Sequence, residues 1–481
     1  HLAWHRMVNI NSFQGPLPQD WIDAQADLQK KILKRERELS MKPVLHAFSG
    51  SVPAVFKDMH PEAQISKVSN WGNFGDPYRC WFLSPTDPLY AEIQKACVEE
   101  TEALFGTDHI WGLDPFNEVD APSWDPETLA GMGKAFSESL SAADPDAVWL
   151  QMGWFLINDR NHWTPENMEA FLGSVPQGKL IMLDYHDDWV LGWKLTERFY
   201  GHDYIACALL NFGGNTLLNG NFPTLIPFYE ETLRDGGRNL KGIGSTLEGF
   251  GTNPYYYEFV LSQGWNYPFS AEEWIDRLAD RHVGREDAAA RALWKKIIME
   301  IAPQYTGTGV SMNAHPKFGE RYNWTVKYPD IKGRTPVMDY AWRQMLEIGS
   351  DRYEYHYDLV NLGRQALGDY FDILKDSLEA TWNRNDVAGA KAVKSQMEEV
   401  MDDCDALLAC APELSLQSWN EAARSWGDTP EEKEYYERCA RTILTVWGNN
   451  RGLTDYANRQ WSGLVGSYYK TRWMLFCDDI I

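Results

Sequence analysis

Two glutamates follow apolar runs that are typical of buried strands. Glu118 closes the segment 114–118 (Asp-Pro-Phe-Asn-Glu), directly after the run 109–113, and Glu248 closes the run 241–247. In β/α barrels the loops after the strands build the active site, so catalytic side chains lie at the carboxyl ends of strands. Both glutamates are therefore candidate catalytic acids. The alternatives are a solvated loop acid for Glu118, and a helix cap or arginine partner for Glu248.

A pair of carboxyl groups in one barrel mouth suits glycoside hydrolysis. Glu118 would protonate the departing glycosidic oxygen, and the amide of Asn117 would hold the sugar's 2-substituent, while an ionised Glu248 attacks the anomeric carbon. A retaining enzyme needs the carboxyl groups about 5–5.5 Å apart and an inverting one about 6.5–9.5 Å. The residues alone leave that separation open.

Other polar positions indicate weaker alternatives. The acids of 184–188, with His186 among them, suggest a carboxylate-rich metal site, but we favour a solvated loop and predict no metal. Trp154, at a strand end, is either a sugar platform or a core residue. The segment 211–215 (Asn-Phe-Gly-Gly-Asn) is either a binding loop or a turn that requires glycine. No GxGxxG loop follows an early strand, so no nucleotide cofactor is expected.

Composition excludes several classes. The net charge of -24 argues against a nucleic-acid partner, because phosphate binding needs clustered Lys and Arg. The seven cysteines lack CxxC spacing, which indicates buried free thiols and not a zinc site or disulfide framework. No apolar run approaches the ~20 residues of a membrane span. The chain opens without an initiator methionine, in what reads as the middle of an element, so we interpret it as a fragment whose localisation is not readable from this end.

The strand and helix pattern predicts two domains. Apolar runs alternate with helical segments, which predicts a parallel sheet covered on both faces. Its strands are predicted at 43–48, 109–118, 147–154, 179–185, 204–210 and 241–247, with an irregular segment between 50 and 88. Six strands suit a (β/α)8 TIM-like barrel whose first two strands lie upstream. We therefore predict an N-terminally truncated catalytic barrel over 1–268 and an all-α domain over 269–481, beginning with a capping box at Ser270 and Glu273.

At these residues the chain resembles the α-N-acetylglucosaminidases, glycoside hydrolase family 89. The similarity runs in order over nearly the whole sequence, at 2–4, 6–7, 15–18, 71–72, 105–110, 116–118, 211–215, 447–448 and 455–458. The resemblance implies a small N-terminal domain, a (β/α)8 barrel and an all-α domain. It implies release of terminal α-linked N-acetylglucosamine from glycans with retention, without a metal or other cofactor. It also implies a secreted, periplasmic or lysosome-like setting.

Carried over by motif, Glu118 is the acid/base and Glu248 the nucleophile. The sugar pocket would be lined by residues of the barrel and of the helical domain: Trp4, Met7, Trp71, Asn117, Trp154, Leu209 and Phe212, then Trp447, Leu453 and Tyr456. The acidic balance favours neutral α-N-acetylglucosamine ends over sulfated chains. Two alternatives stay open: a truncated, inactive or carbohydrate-binding remnant, and a retaining glycosidase of other sugar specificity. The oligomeric state is not predicted.

Overall fold

The computed structural model describes residues 18–71, 75–76, 79–249, 253–265, 270–305, 309–319, 331–446 and 453–481, with the backbone alone for 331 and 332. The chain divides into two compact units. The first comprises residues 1–207 and 230–244, and the second comprises 208–229 and 245–481.

Six strands form the main sheet, as predicted. They are β1 (Leu45–His46), β5 (Ile110–Gly112), β6 (Val148–Met152), β7 (Leu180–Asp184), β8 (Asp203–Ala208) and β9 (Leu240–Ser245), and this is also their order across the sheet. The pairings from β1 to β8 are parallel, with Trp111 opposite Trp149 and Trp149 opposite Leu180. Sequential strands that pair in parallel place their carboxyl ends along one edge of the sheet, and the loop that carries Glu118 begins at this edge.

A second, smaller sheet replaces the irregular segment expected between 50 and 88, and that expectation was wrong. Strands β2 (Ser51–Val52), β3 (Ile65–Lys67) and β4 (Trp81–Leu83) pair antiparallel in the order β2-β4-β3, and helix α2 (Val55–Met59) follows β2. Strands of two or three residues are too short to show a period of two. Their pairing partners lie too far along the chain for a local pattern to indicate them.

Three helices of the first unit, α3, α4 and α6, begin at side-chain caps that the sequence displays. Asp87, Asp125 and Thr164 each accept a hydrogen bond from a backbone N–H in the first turn, and a proline follows each cap. Such caps satisfy donors that the helix itself leaves unpaired. Besides α2, the helices of this part of the chain are α1 (Gln19–Glu38), α3 (Pro88–Phe105), α4 (Pro126–Ala143), α5 (Trp154–Asn158), α6 (Pro165–Gly173), α7 (Gly192–Leu195) and α8 (Phe222–Asp235), the last of which begins in the second unit and ends in the first.

An aromatic cluster fills the space between these helices and the sheet. The ring centroid of Phe136 on α4 lies 5.7 Å from that of Trp149 on β6, and the two rings are tilted. The ring centroid of Phe171 on α6 lies 6.0 Å from that of Trp149, and these rings meet edge to face. Trp163 and Phe155 extend the same cluster at 4.6 Å from each other. Rings in such arrangements bury large apolar areas, so the cluster anchors the strand ends that carry the candidate site.

The second unit is predominantly helical, as the all-α prediction requires. Its helices are α9 (Pro254–Ser262), α10 (Ala271–Val283), α11 (Ala288–Lys296), α12 (Ile331–Ile348), α13 (Tyr353–Asn383), α14 (Val387–Leu408), α15 (Leu416–Arg424), α16 (Pro430–Leu444) and α17 (Lys470–Ile480). The capping box of Ser270 and Glu273 is present at the start of α10. In the described part of the chain, no helix combines the length and apolarity that crossing a bilayer requires.

All seven cysteines lie in the described residues and are free thiols. Cys207, Cys404 and Cys477 are buried, whereas Cys410 is exposed. The prediction of free thiols is confirmed, and the prediction that they are buried is correct for Cys207, Cys404 and Cys477.

Candidate active site

A strained turn brings Glu118 out of the end of β5. Phe116 has a left-handed backbone, with φ at +62°, and its buried ring lies 5.2 Å from Phe82 and 6.1 Å from Phe136. A left-handed residue other than glycine costs about 1–2 kcal/mol, which the packing of the ring offsets. The turn leaves Glu118 exposed two residues later.

Two indole groups hold the carboxyl group of Glu118. Nε1–H of Trp71 donates to Oε2, and Nε1–H of Trp154 donates to Oε1 at 2.7 Å. Trp154 reaches this position because Gly153 precedes it: a Cβ on Gly153 would lie 2.6 Å from the carbonyl oxygen of Leu183 on β7. Both oxygens of Glu118 thus have neutral donors that orient the group without adding charge.

A second carboxyl group, Asp114, lies behind Glu118 at the end of β5. Its Oδ1 accepts a hydrogen bond from Nε2 of the buried Gln151 at 2.5 Å, and its backbone N–H donates to Oγ of Ser49 at 3.1 Å. Burial raises the pKa of Asp114 to about 7, against the lowering effect of the Gln151 hydrogen bond, and the charge of Glu118 raises it further. Asp114 therefore exchanges its proton near neutrality. Sequence reasoning assigned it no role, although its place at a strand end was the available signal.

Glu248 is held in the second unit through one of its oxygens. Its Oε2 accepts hydrogen bonds from the backbone N–H of Gly213 and from the hydroxyl of Tyr456, both at 2.7 Å. Gly213 has φ at +64°, and a Cβ there would lie 2.7 Å from the carbonyl oxygen of Tyr456. Glycine is needed at this position both for the backbone angle and for the close approach. The segment 211–215 is thus a turn that requires glycine and also a loop that contacts the candidate nucleophile.

A tight turn in the helical region positions Tyr456. The preceding residue, Asp455, has φ at +61°, and its backbone N–H donates to the carbonyl oxygen of Thr445 at 2.7 Å. Its buried carboxylate accepts a hydrogen bond from Nη1 of Arg472 at 2.8 Å. The turn is therefore tied to two other segments, which keeps the Tyr456 hydroxyl on Glu248.

The remaining predicted pocket residues differ in exposure. Leu209 and Leu453 are buried, and Phe212 is half-buried. Oδ1 of Asn117 is buried and has no hydrogen-bond partner among the described residues, so it is an acceptor still to be satisfied. Trp4, Met7 and Trp447 lie outside the described residues.

The acids after β7 do not form the solvated loop that we expected. Asp184 and Asp187 are both buried, and Oδ2 of Asp184 accepts the backbone N–H of Trp193 at 2.8 Å. Burial raises the pKa of Asp184 to about 6, and burial together with the charge of Asp184 raises the pKa of Asp187 well above its usual range. Burial disfavours the charged form of each carboxyl group, and two carboxylates in one dry site oppose each other's ionisation.

Within the described ranges, metal-capable side chains come together at Asp120, Asp159 and His162. Nδ1 of His162 lies 2.7 Å from Oδ2 of Asp159, and its ring stacks on Trp124 at 4.6 Å. Asp120 and His162 are exposed. The hydrogen bond between His162 and Asp159 and the stacking of His162 on Trp124 account for the position of this ring.

Comparison with models of known protein families shows which family the chain belongs to. Residues 1–267 match the α-N-acetylglucosaminidase (NAGLU) TIM-barrel domain, and residues 274–481 match the C-terminal domain of the same family. The chain belongs to the α-N-acetylglucosaminidase family. The resemblance stated from the motifs is confirmed, and so is the fold class of a TIM-like barrel followed by an all-α domain.

Individual members of the family are similar to this chain in sequence or in structure. Human α-N-acetylglucosaminidase is 32% identical over 494 residues, which cover 100% of this chain and 65% of the human protein. A family 89 glycoside hydrolase from Clostridium perfringens, solved in complex with PUGNAc, superposes with a TM-score of 0.88 at 24% identity, over 100% of this chain and 55% of that one. The same bacterial enzyme, with two glutamates replaced by glutamine and in complex with its substrate GlcNAc-α-1,4-galactose, superposes with a TM-score of 0.87. The chain thus spans a little over half to about two thirds of the length of these relatives.

Proposed function

We propose that this chain is a retaining exo-glycosidase that releases terminal α-linked N-acetylglucosamine from glycans by double displacement, with Glu118 as acid/base and Glu248 as nucleophile. The observation that carries the proposal is that both glutamates follow strands of a family-matched barrel and are each held by hydrogen-bond donors. The complex of the Clostridium perfringens relative with GlcNAc-α-1,4-galactose supports the choice of sugar.

In the first displacement, Glu118 donates its proton to the glycosidic oxygen as the bond to the anomeric carbon breaks. Glu248 attacks that carbon and forms a covalent glycosyl-enzyme. The donors on Oε2 of Glu248 orient the carboxylate, so that Oε1 is the oxygen available for attack. The amide of Asn117, which directly precedes Glu118 in the chain, would hold the 2-acetamido group of the sugar.

In the second displacement, Glu118 is the base. It removes a proton from a water molecule, which attacks the anomeric carbon and releases Glu248. The sugar leaves with its original α configuration because the carbon has been inverted twice. No step calls for a metal or an organic cofactor.

The helical domain takes part in the proposed site. Tyr456 lies within the predicted all-α domain 269–481, and its hydroxyl donates to Glu248, which lies within the predicted barrel domain 1–268. The contact supports an active unit made of both domains. We keep 268/269 as the proposed boundary.

The decisive assay follows release of an aryl alcohol from an aryl α-N-acetylglucosaminide and determines the first-formed anomer by NMR. We expect the α anomer. Glu248→Gln should be inactive on every substrate. Glu118→Gln should be inactive on glycosides with poor leaving groups. From a dinitrophenyl glycoside, which needs no proton to depart, it should release a burst of one equivalent of dinitrophenol, after which the second displacement, without its base, is slow.

The matched control is Glu138→Gln, because Glu138 is an exposed glutamate of α4 that pairs with Lys134, at 3.7 Å. It should behave as the unmodified chain does. An initial β product would refute the retaining mechanism, and full activity of Glu118→Gln on poor leaving groups would refute its role as acid. Binding of N-acetylglucosamine by folded protein without any release would select a carbohydrate-binding protein instead.

A further inference from the structure

A row of rings leads outward from Glu118 along the ends of β6 and β7. Trp154 donates its indole N–H to Glu118, and its ring centroid lies 6.1 Å from that of His186. The ring of His186 lies 5.4 Å from that of Trp189. The row therefore connects the candidate acid to a tryptophan in the loop after β7.

Trp189 is the exposed end of this row. Its side chain is 60% exposed, whereas His186 is buried. The loop beneath it is well anchored: the backbone N–H of Trp189 donates to the carbonyl oxygen of His186 at 2.9 Å, and Nδ1 of His186 lies 2.9 Å from Oδ1 of Asp188. Trp189 thus presents a large apolar ring to solvent from a loop whose backbone is hydrogen-bonded.

We propose that Trp189 is the platform for the sugar on the leaving side of the cleaved bond. This inference rests on the proposed function, because a general acid contacts the glycosidic oxygen and the departing sugar therefore lies beside it. The row of rings leads from Glu118 to Trp189. The exposed indole face of Trp189 suits the apolar C–H face of a pyranose. The carboxylate of the adjoining Asp188 disfavours a sulfated or uronic acid ring. The ligand is an uncharged pyranose such as galactose.

The kinetic test compares two substrates that differ in the leaving group. GlcNAc-α-1,4-galactose carries a leaving sugar, and α-N-acetylglucosaminyl fluoride carries none. Trp189→Ala should lower kcat/KM for the disaccharide roughly fivefold more than for the fluoride, the order expected for losing one ring stack. Trp189→Phe keeps a ring and should recover most of that difference. An equal effect of Trp189→Ala on both substrates would overturn the inference and leave the proposed function standing.

Trp265 provides the matched control. It is 75% exposed and follows the carboxyl end of helix α9, not of a strand. Trp265→Ala should leave kcat/KM for both substrates within twofold of the unmodified chain. A preference change as large as that of Trp189→Ala would show that loss of any exposed tryptophan has this effect, and would refute a specific platform.

A binding measurement separates this inference from failure of the proposed function. Saturation-transfer NMR on Glu248→Gln protein, which is not expected to turn over, reports which ring protons of GlcNAc-α-1,4-galactose contact the protein. Adding Trp189→Ala should remove most of the saturation of the galactose protons and preserve that of the N-acetylglucosamine protons. Unchanged galactose signals would overturn the platform, whether or not the unmodified chain hydrolyses any glycoside.

Discussion

Replacing Tyr456 with phenylalanine removes one hydroxyl from the candidate nucleophile and retains the ring. The hydroxyl donates to Oε2 of Glu248 at 2.7 Å, and the backbone N–H of Gly213 donates to the same oxygen at the same distance. The substitution therefore halves the set of donors that orient an otherwise exposed carboxylate. Glu248 would then sample rotamers in which Oε1 does not face the anomeric carbon.

The size of the effect follows from the contact. A hydrogen bond to a charged group contributes about 1.5–3 kcal/mol, with the low end appropriate to an exposed acceptor. The Gly213 N–H remains in place, so we take about 1.5 kcal/mol, which corresponds to a roughly tenfold loss in kcat/KM. The half-buried ring stays packed, so the melting temperature should change little.

The assay is hydrolysis of an aryl α-N-acetylglucosaminide by Tyr456→Phe, with Tyr370→Phe as the matched control. Tyr370 is an exposed tyrosine of α13 and should tolerate the change without loss of activity. The reasoning is refuted if Tyr456→Phe retains activity within twofold while Glu248→Gln is inactive. In that case the hydroxyl would not orient the nucleophile.

Three further outcomes are expected. Trp154→Phe removes a hydrogen-bond donor from Glu118 and should reduce kcat/KM about tenfold for glycosides with poor leaving groups. The effect on α-N-acetylglucosaminyl fluoride should be smaller. Equal losses of kcat/KM on the two kinds of substrate would contradict a role of Trp154 in acid catalysis. Arg334→Met leaves Asp369 buried without its ion-pair partner at 3.4 Å, and should lower the free energy of unfolding in urea by about 3–5 kcal/mol; an unchanged urea midpoint would contradict this. Burial raises the pKa of Asp114 to about 7 in the folded chain, so the folded state binds the proton more tightly than the unfolded state does. The stability that this group contributes is present below about pH 4 and is lost as pH rises to about 7. The loss amounts to at most about 4 kcal/mol. Asp114→Asn should flatten the decline in urea midpoint between pH 4 and 8, and parallel curves for the two proteins would exclude Asp114 as its cause.

Local signals predicted the helices best. The starts of α3 (Pro88–Phe105) and α6 (Pro165–Gly173) can be located from the sequence, because a capping side chain and a proline mark each of them. The helical segment after β7 has no such mark and is short, as α7 (Gly192–Leu195) and a 3-10 turn (Phe199–Gly201). Residues 197–200 all have positive φ values, which end a helix and which no residue type there indicates.

The solvation of the acids could not be read from the sequence. The acids at the end of β7 and after it have the composition of a solvated loop, yet Asp184 and Asp187 are buried, and burial raises the pKa of both. Asp114 and Glu118 lie four residues apart with opposite environments, one mostly buried and one exposed. Burial depends on which segments cover a residue, and that information is not local.

The sequence by itself determined the family, the order of the six strands of the main sheet, and the two candidate glutamates that follow strands, because periodicity, caps and motifs depend on residues a few positions apart. Only the tertiary structure decided the partners of those glutamates: Trp71 and Trp154 reach Glu118 from 47 and 36 residues away, and Tyr456 reaches Glu248 from 208 residues away. A hydrogen bond requires two atoms within about 3 Å. Folding, not spacing along the chain, brings such distant residues that close.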